Sequence, residues 1–167
     1  FPHFLFPFLK TEIFSALRMA KIVIIDDEPA MVEVIVTLCR EKGHQVFPFN
    51  SAPKAVEQMD SIQPHVVIAD IRMETMTGFD VLRHVREHLR QTAVILITAY
   101  ASVETAVEAM KMGAYDYVTK PFESAELRAR VRAALRTKRL QDELTQTNRD
   151  LLGARVAAES AARAKAE

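Results

Sequence analysis

The sequence predicts a doubly wound α/β domain on a five-stranded parallel sheet, followed by a helical, coiled-coil-like extension at the C-terminal end. Continuous apolar runs at residues 22–25, 66–69 and 94–97 read as strands buried on both faces, as in a parallel sheet covered by helices. Helix-period segments alternate with these runs at the spacing of βα units. The 167 residues are 49% hydrophobic and 26% charged, the balance of a globular protein rather than a disordered one.

In chain order, Ile22–Ile25 is the first strand and Pro29–Glu41 the first helix, with Pro29 in its first turn, where the absent N–H costs nothing. Met31, Val34, Ile35 and Leu38 are expected to form the core stripe of that helix, with Val32 and Val36 off it as a contact surface and Cys39 as a packed thiol. Gly43 marks the helix stop, Gln45–Phe49 is a shorter strand, and Pro53–Ser61 is the second helix. Val66–Ala69 and Phe79–Glu87 follow, then Val94–Ile97 and Val103–Met112, the latter with Ser102 as N-cap and Gly113 as stop. Tyr115–Val118 closes the sheet, and Ser124, read as a second N-cap, opens the helix to Thr137.

The ends differ in character. Phe1 to Leu9 is apolar but interrupted by Pro2 and Pro7, too short to span a bilayer, and without the basic start and small-residue site of a secretory signal. Met19 directly precedes the first strand, so residues 1–18 are expected to be a non-domain extension and 19–137 the domain; a membrane-surface anchor is the alternative for the extension. Residues 138–167 contain no proline or aromatic. Leu140, Leu144, Thr147, Leu151, Ala154, Ala158 and Ala161 follow the four-three steps of a heptad seam, weakened by small residues and Gly153; a lone surface helix fits the same pattern.

Charge and motifs exclude several classes. Lys and Arg number 22 against 22 Asp and Glu, so no net field draws the chain to nucleic acid or anionic lipid. One cysteine excludes an internal disulfide framework, and four glycines without GxGxxG or GxxxxGK[ST] argue against a dinucleotide fold or P-loop.

In an open α/β sheet the reactive crevice lies beyond the carboxyl ends of the strands. Those ends carry Asp26 and Asp27, then Asp70, then Thr98, then Lys120. Converging carboxylates repel one another unless a cation compensates, and an oxygen-only donor set favours a hard ion, Mg2+ first. A nucleophilic carboxylate beside Mg2+ and a lysine suits phosphoryl transfer to an aspartyl phosphate. Taken singly, the acidic pair can cap a helix, the threonine can close a strand and the lysine can sit solvated in a loop. Their joint placement carries the reading.

The segments Lys21 to Pro29 (KIVIIDDEP), Val66 to Met73 (VVIADIRM), Ile97 to Tyr100 (ITAY) and Tyr117 to Phe122 (YVTKPF) resemble the signature segments of two-component receiver domains, CheY-like and flavodoxin-like in fold. The resemblance covers Ala20 to Arg136. It implies Asp70 as phosphoacceptor, served by a histidine kinase or histidine phosphotransfer protein. It implies Mg2+ on Asp27, Asp70 and the Arg72 backbone carbonyl, with Asp26 acting through water. It also implies Thr98 and Tyr117 as a switch pair, Lys120 at the phosphoryl group and a cis Lys120–Pro121 bond. One departure stands out: the family's Pro-Gly after Met73 is Glu74-Thr75 here, and threonine takes positive φ poorly. A differently shaped loop with altered rates, rather than lost phosphorylation, is expected.

Further expectations are a cytoplasmic location, no direct nucleic-acid or membrane contact, and homodimerisation through the fourth helix, fifth strand and fifth helix together with the C-terminal helix. His44, His65, His84 and His88 read as surface or loop histidines, and the basic run of Arg128, Arg130, Arg132, Arg136, Lys138 and Arg139 as a solvated helix face. The alanine-rich tail resembles the helix leading into hybrid histidine kinases, which makes a receiver-plus-kinase parent one expectation. A phosphatase of α/β class would want an acid two residues after the nucleophile, where Arg72 stands, so catalysis is expected only on the chain itself. A degenerate receiver serving as a dimerisation module is the alternative, and the intact Asp27, Asp70, Thr98 and Lys120 argue against it.

Overall fold

The computed structural model describes residues 19–164, in which five strands alternate with five helices. They are β1 (Lys21–Ile25), α1 (Pro29–Arg40), β2 (Gln45–Phe49), α2 (Ala52–Ile62), β3 (Val66–Asp70), α3 (Gly78–His88), β4 (Ala93–Thr98), α4 (Val103–Lys111), β5 (Asp116–Thr119) and α5 (Ser124–Ala164). The expectations about residues 1–18 lie outside the described residues. The chain forms two compact units, one ending at Leu135 and one beginning at Arg136.

In the first unit all neighbouring strands are parallel, in the order β2-β1-β3-β4-β5. The order reverses at β1 and β3, so a crevice opens beyond their carboxyl ends. The apolar runs are buried on both faces because alternate residues point opposite ways. Val23, Ile25, Val67, Ala69, Val94 and Leu96 pack with α2, α3 and α4, whereas Ile22, Ile24, Ile68, Ile95 and Ile97 pack with α1 and the start of α5. Pro48 is tolerated in β2 because that strand is an edge strand, paired only with β1, and has an outward side that needs no donor.

Two local expectations are corrected. In α1 the core stripe is Val32, Ile35, Leu38 and Cys39, while Val34 is 49% exposed, so Val34 and not Val32 faces outward. Val36 is half-buried against the same core. The helix is apolar on nearly every side between Met31 and Leu38, so periodicity alone leaves its rotation open and the sheet decides it. Ser124 is the first residue of α5 rather than its cap; the Glu123 carbonyl takes the Glu126 and Leu127 amides at 2.9 and 3.2 Å.

The second unit is the remainder of α5. Leu140, Leu144, Leu151, Leu152 and Val156 are exposed along it. Pairs at i,i+4, Lys138–Asp142 and Arg155–Glu159, support the helix along its surface. Among the described residues no helix is long and apolar enough to cross a membrane.

Candidate functional site

β1 delivers Asp26 and Asp27, β3 ends in Asp70, β4 ends in Thr98, and Lys120 follows β5. The parallel register brings these ends to one edge of the sheet. Lys120 Nζ stands 2.7 Å from Asp26 Oδ2 and 3.2 Å from Asp70 Oδ1, so one ammonium ties the ends of β1 and β3 to the segment after β5. The Lys120–Pro121 bond in that segment is cis.

The remaining carboxylate oxygens have backbone partners. Asp26 Oδ1 accepts from the Glu28 amide at 2.9 Å, and Asp70 Oδ2 accepts from the Arg72 amide at 3.0 Å. Asn50 Nδ2 donates to the Asp26 carbonyl at 3.1 Å, which fixes the β1 end against the segment after β2. Asp26, Asp70 and Thr98 are 2%, 7% and 1% exposed, while Asp27 is open to solvent. Among the described residues Asp27 forms no salt bridge, so its carboxylate remains available at the mouth of the crevice.

Burial is the largest influence on Asp70 and pushes its pKa above the usual carboxylate range, with Asp26 adding to the effect against Lys120 and the Arg72 amide. Burial alone lowers Lys120, but Asp26 and Asp70 together outweigh it and hold the ammonium above its ordinary value. The Asp70 carboxylate is thus only partly compensated by Lys120. Asp26, Asp27 and Asp70 each offer an oxygen, and these atoms all lie within 4.8 Å of one another. Oxygen-only donors without thiolate or imidazole fit a hard divalent ion.

The entrance to the crevice is framed by the residues that follow the site on two strands. Thr98 Oγ1 accepts from the Tyr100 amide at 3.1 Å, and the Arg72 guanidinium lies 4.0 Å from the centroid of the exposed Tyr100 ring. Tyr117, half-buried on β5, hydrogen-bonds through its hydroxyl to Thr105 Oγ1 at 2.9 Å. Gly78, at the start of α3, abuts the site backbone so closely that a Cβ would sit 2.5 Å from the Asp70 carbonyl oxygen.

Every residue singled out for the site from sequence is therefore at this edge or, for Tyr117, on the adjoining strand. The Glu74-Thr75 loop closes without left-handed backbone, since the described residues with positive φ are Gln63, Gly43 and Gly113. Sequence reasoning missed Asn50, Tyr100 and Thr105, whose roles depend on side chains meeting across the sheet edge. The basic run is a solvated face at Arg132, Arg136 and Arg139, which are exposed, but not at Arg128 and Arg130. In the structure Arg130 binds Asp116 through Nη1 at 2.7 Å and Glu126 through Nη2 at 3.0 Å, and Arg128 reaches Glu41 at 3.0 Å. His65 is likewise engaged, its Nδ1 accepting the Lys21 amide at 3.0 Å.

The family described as "Response regulator receiver domain" matches residues 22–132. Over 131 residues the chain is 40% identical to Regulatory protein AtoC of Escherichia coli K12, covering 78% of this chain and 28% of that protein. Over 114 residues it is 37% identical to Transcriptional regulatory protein ZraR of the same strain, covering 68% of this chain and 26% of that protein. The chain thus spans little more than a quarter of the length of these relatives. A response regulator receiver domain protein from Clostridium thermocellum superposes with a TM-score of 0.70 at 30% identity, covering 74% of this chain and 99% of that one.

Proposed function

The chain belongs to the response regulator receiver domain family, and from that premise we propose that it is a phosphoacceptor switch in a two-component phosphorelay. The observation that carries the reading is the Lys120 ammonium bonded to both Asp26 and Asp70 at the β1–β3 crossover edge, with the Thr98 hydroxyl at the end of the adjoining strand. An Asp70 carboxylate oxygen attacks the phosphorus of a phosphohistidine on a histidine kinase or phosphotransfer protein. The P–N bond breaks, its electron pair stays with the imidazole, and an acyl phosphate forms.

Mg2+ would be held by Asp27, Asp70 and the Arg72 carbonyl and would supply charge neutralisation between the entering phosphoryl oxygens and the carboxylates. Asp26, already engaged by Lys120 and the Glu28 amide, suits a water-mediated role. Lys120 supports the transferred group as a point charge. Thr98 turns its hydroxyl to a phosphoryl oxygen, and Tyr117 responds on β5. The chemistry is confined to the chain's own carboxyl group, so it is not an enzyme toward external substrates.

The receiver is assigned to residues 19–137 and the helical linker to 138–167, acting in the cytoplasm without direct contact to nucleic acid or membrane. The names of the relatives support a regulatory output carried by a partner or appended domain. Exposed Leu140, Leu144 and Leu151 in heptad steps, together with exposed Val103, Val107 and Met110 on α4, support homodimerisation through the C-terminal helix and the α4–β5–α5 face.

Intact-mass measurement with acetyl phosphate, with and without Mg2+, tests the reading. The expected result is one added phosphoryl group on the wild type only when Mg2+ is present and none on Asp70→Asn. Equal labelling of Asp70→Asn would overturn it.

A further inference from the structure

Thr105 lies at the third position of α4, half-buried, and its hydroxyl has four polar neighbours at bonding distance. The Ser102 amide donates to Oγ1 at 3.1 Å, Oγ1 reaches the Ser102 carbonyl at 3.1 Å, Ser102 Oγ is 3.2 Å away, and the Tyr117 hydroxyl is the nearest of all at 2.9 Å. A hydroxyl has one proton and two lone pairs, enough for three of these bonds. The Ser102 amide takes one lone pair and the Ser102 carbonyl takes the proton. One lone pair is left for two donors. Ser102 Oγ is the farthest of the four neighbours, and it already accepts the Thr105 amide at 3.1 Å. Tyr117 has no other partner among the described residues that would serve its hydroxyl, so the tyrosine takes the vacant place.

The rest of the geometry makes Thr105 a rigid holder. Ser102 and Thr105 form a reciprocal capping box in which each side chain binds the other's backbone amide. The cap is joined to the site through a short segment: Thr98 Oγ1 accepts the Tyr100 amide, and Ser102 follows two residues later. If the Thr98 hydroxyl leaves Tyr100 for a phosphoryl oxygen, the segment that positions the cap loses its anchor.

Resting on the reading of Asp70 and Thr98 given above, we propose that Thr105 is the catch of the switch: its hydroxyl holds Tyr117 in the conformation seen here and thereby sets the resting population of the two states. Thr105 is a positioning residue and touches no reacting atom. Loss of one hydroxyl–hydroxyl bond shifts such an equilibrium by roughly two- to tenfold.

The test labels the tyrosines (Tyr100, Tyr115 and Tyr117) with 3-fluorotyrosine and reads fluorine NMR on the unphosphorylated chain. Tyr117→Phe identifies the Tyr117 resonance by its loss. Thr105→Val is expected to move or broaden that resonance, while Thr105→Ser, which keeps the hydroxyl and the cap, leaves it near the wild-type position. With acetyl phosphate and Mg2+, Thr105→Val is expected to label roughly two- to tenfold faster than wild type, and Tyr117→Phe to abolish that difference. A Tyr117 resonance unchanged by Thr105→Val, or changed equally by Thr105→Ser, overturns the proposal. The fluorine signal decides this without phosphorylation, so a failure of every protein to label counts against the reading of Asp70 alone.

Discussion

Replacing Lys120 by methionine removes the one cation that, among the described residues, lies within bonding distance of both buried carboxylates, while keeping most of the side-chain volume. At 2.7 Å from Asp26 and 3.2 Å from Asp70, the gross attractions at an effective dielectric near 20 are about 6 and about 5 kcal/mol. Much of that is offset in the wild type by the desolvation of the ammonium, whose side chain is only 12% exposed. Removing one partner of such a pair costs about 3–5 kcal/mol because the remaining charges stay buried. A loss of about 3 kcal/mol near pH 7.5 is therefore expected in urea unfolding, with the m-value unchanged. The deficit depends on pH in a defined direction. Asp70 is already raised above 3.8 in the folded wild type, and deletion of Lys120 raises it further. Between the unfolded and the folded pKa the native variant binds more protons than the unfolded chain, so its stability falls as pH rises through that window. The deficit should accordingly shrink as pH is lowered through that window. Millimolar Mg2+ should also restore part of it at neutral pH. A deficit that is constant across pH, or a variant as stable as the wild type, would refute the electrostatic account of the edge.

Gly78→Ala places a Cβ 2.5 Å from the Asp70 carbonyl oxygen and 2.9 Å from Ile71 Cα, so backbone must move; a loss of about 1–3 kcal/mol is expected in urea unfolding, with Mg2+ affinity weakened in parallel. Burial pushes the Cys39 thiol up to about 11, so Ellman's reagent should label native protein only at its opening rate and denatured protein at once. Gly153 lies in α5 with nothing within 4 Å of the place an added methyl group would take; Gly153→Ala should raise helicity by circular dichroism and stabilise that segment by about 1 kcal/mol. A fall in helicity would contradict its assignment as uninterrupted helix.

What could be read in advance follows from where the physics is local. The strands β1, β3 and β4 were legible because unbroken apolar runs have few homes other than a covered parallel sheet. The site was legible because parallel strands bring their carboxyl ends to one edge, so Asp26, Asp70, Thr98 and Lys120 meet through topology alone. The rotation of α1 was not legible, since Met31, Val32, Val34, Ile35, Val36 and Leu38 offer apolar groups on almost every side. The acid partners of Arg128 and Arg130 were hidden for a different reason. Glu41 follows α1 and Asp116 lies on β5, so the pairing depends on how α5 crosses the sheet. Tyr117 was legible as a residue but not its catch, because Thr105 is twelve positions away and reads in the sequence only as part of a helix start. Arg72 and Tyr100 each stand two residues beyond a site residue, a regularity that is visible once both strand ends are known to adjoin.

The most direct test of the central claim is to locate the phosphoryl group. The chain would be labelled with acetyl phosphate and Mg2+, reduced with borohydride to convert an acyl phosphate to the alcohol, digested, and sequenced by tandem mass spectrometry. Conversion of Asp70 to homoserine, dependent on Mg2+ and on prior labelling, is the expected result. Reduction at Asp26 or Asp27 instead, or a stable phosphoryl group on a serine, threonine or histidine, would contradict the account.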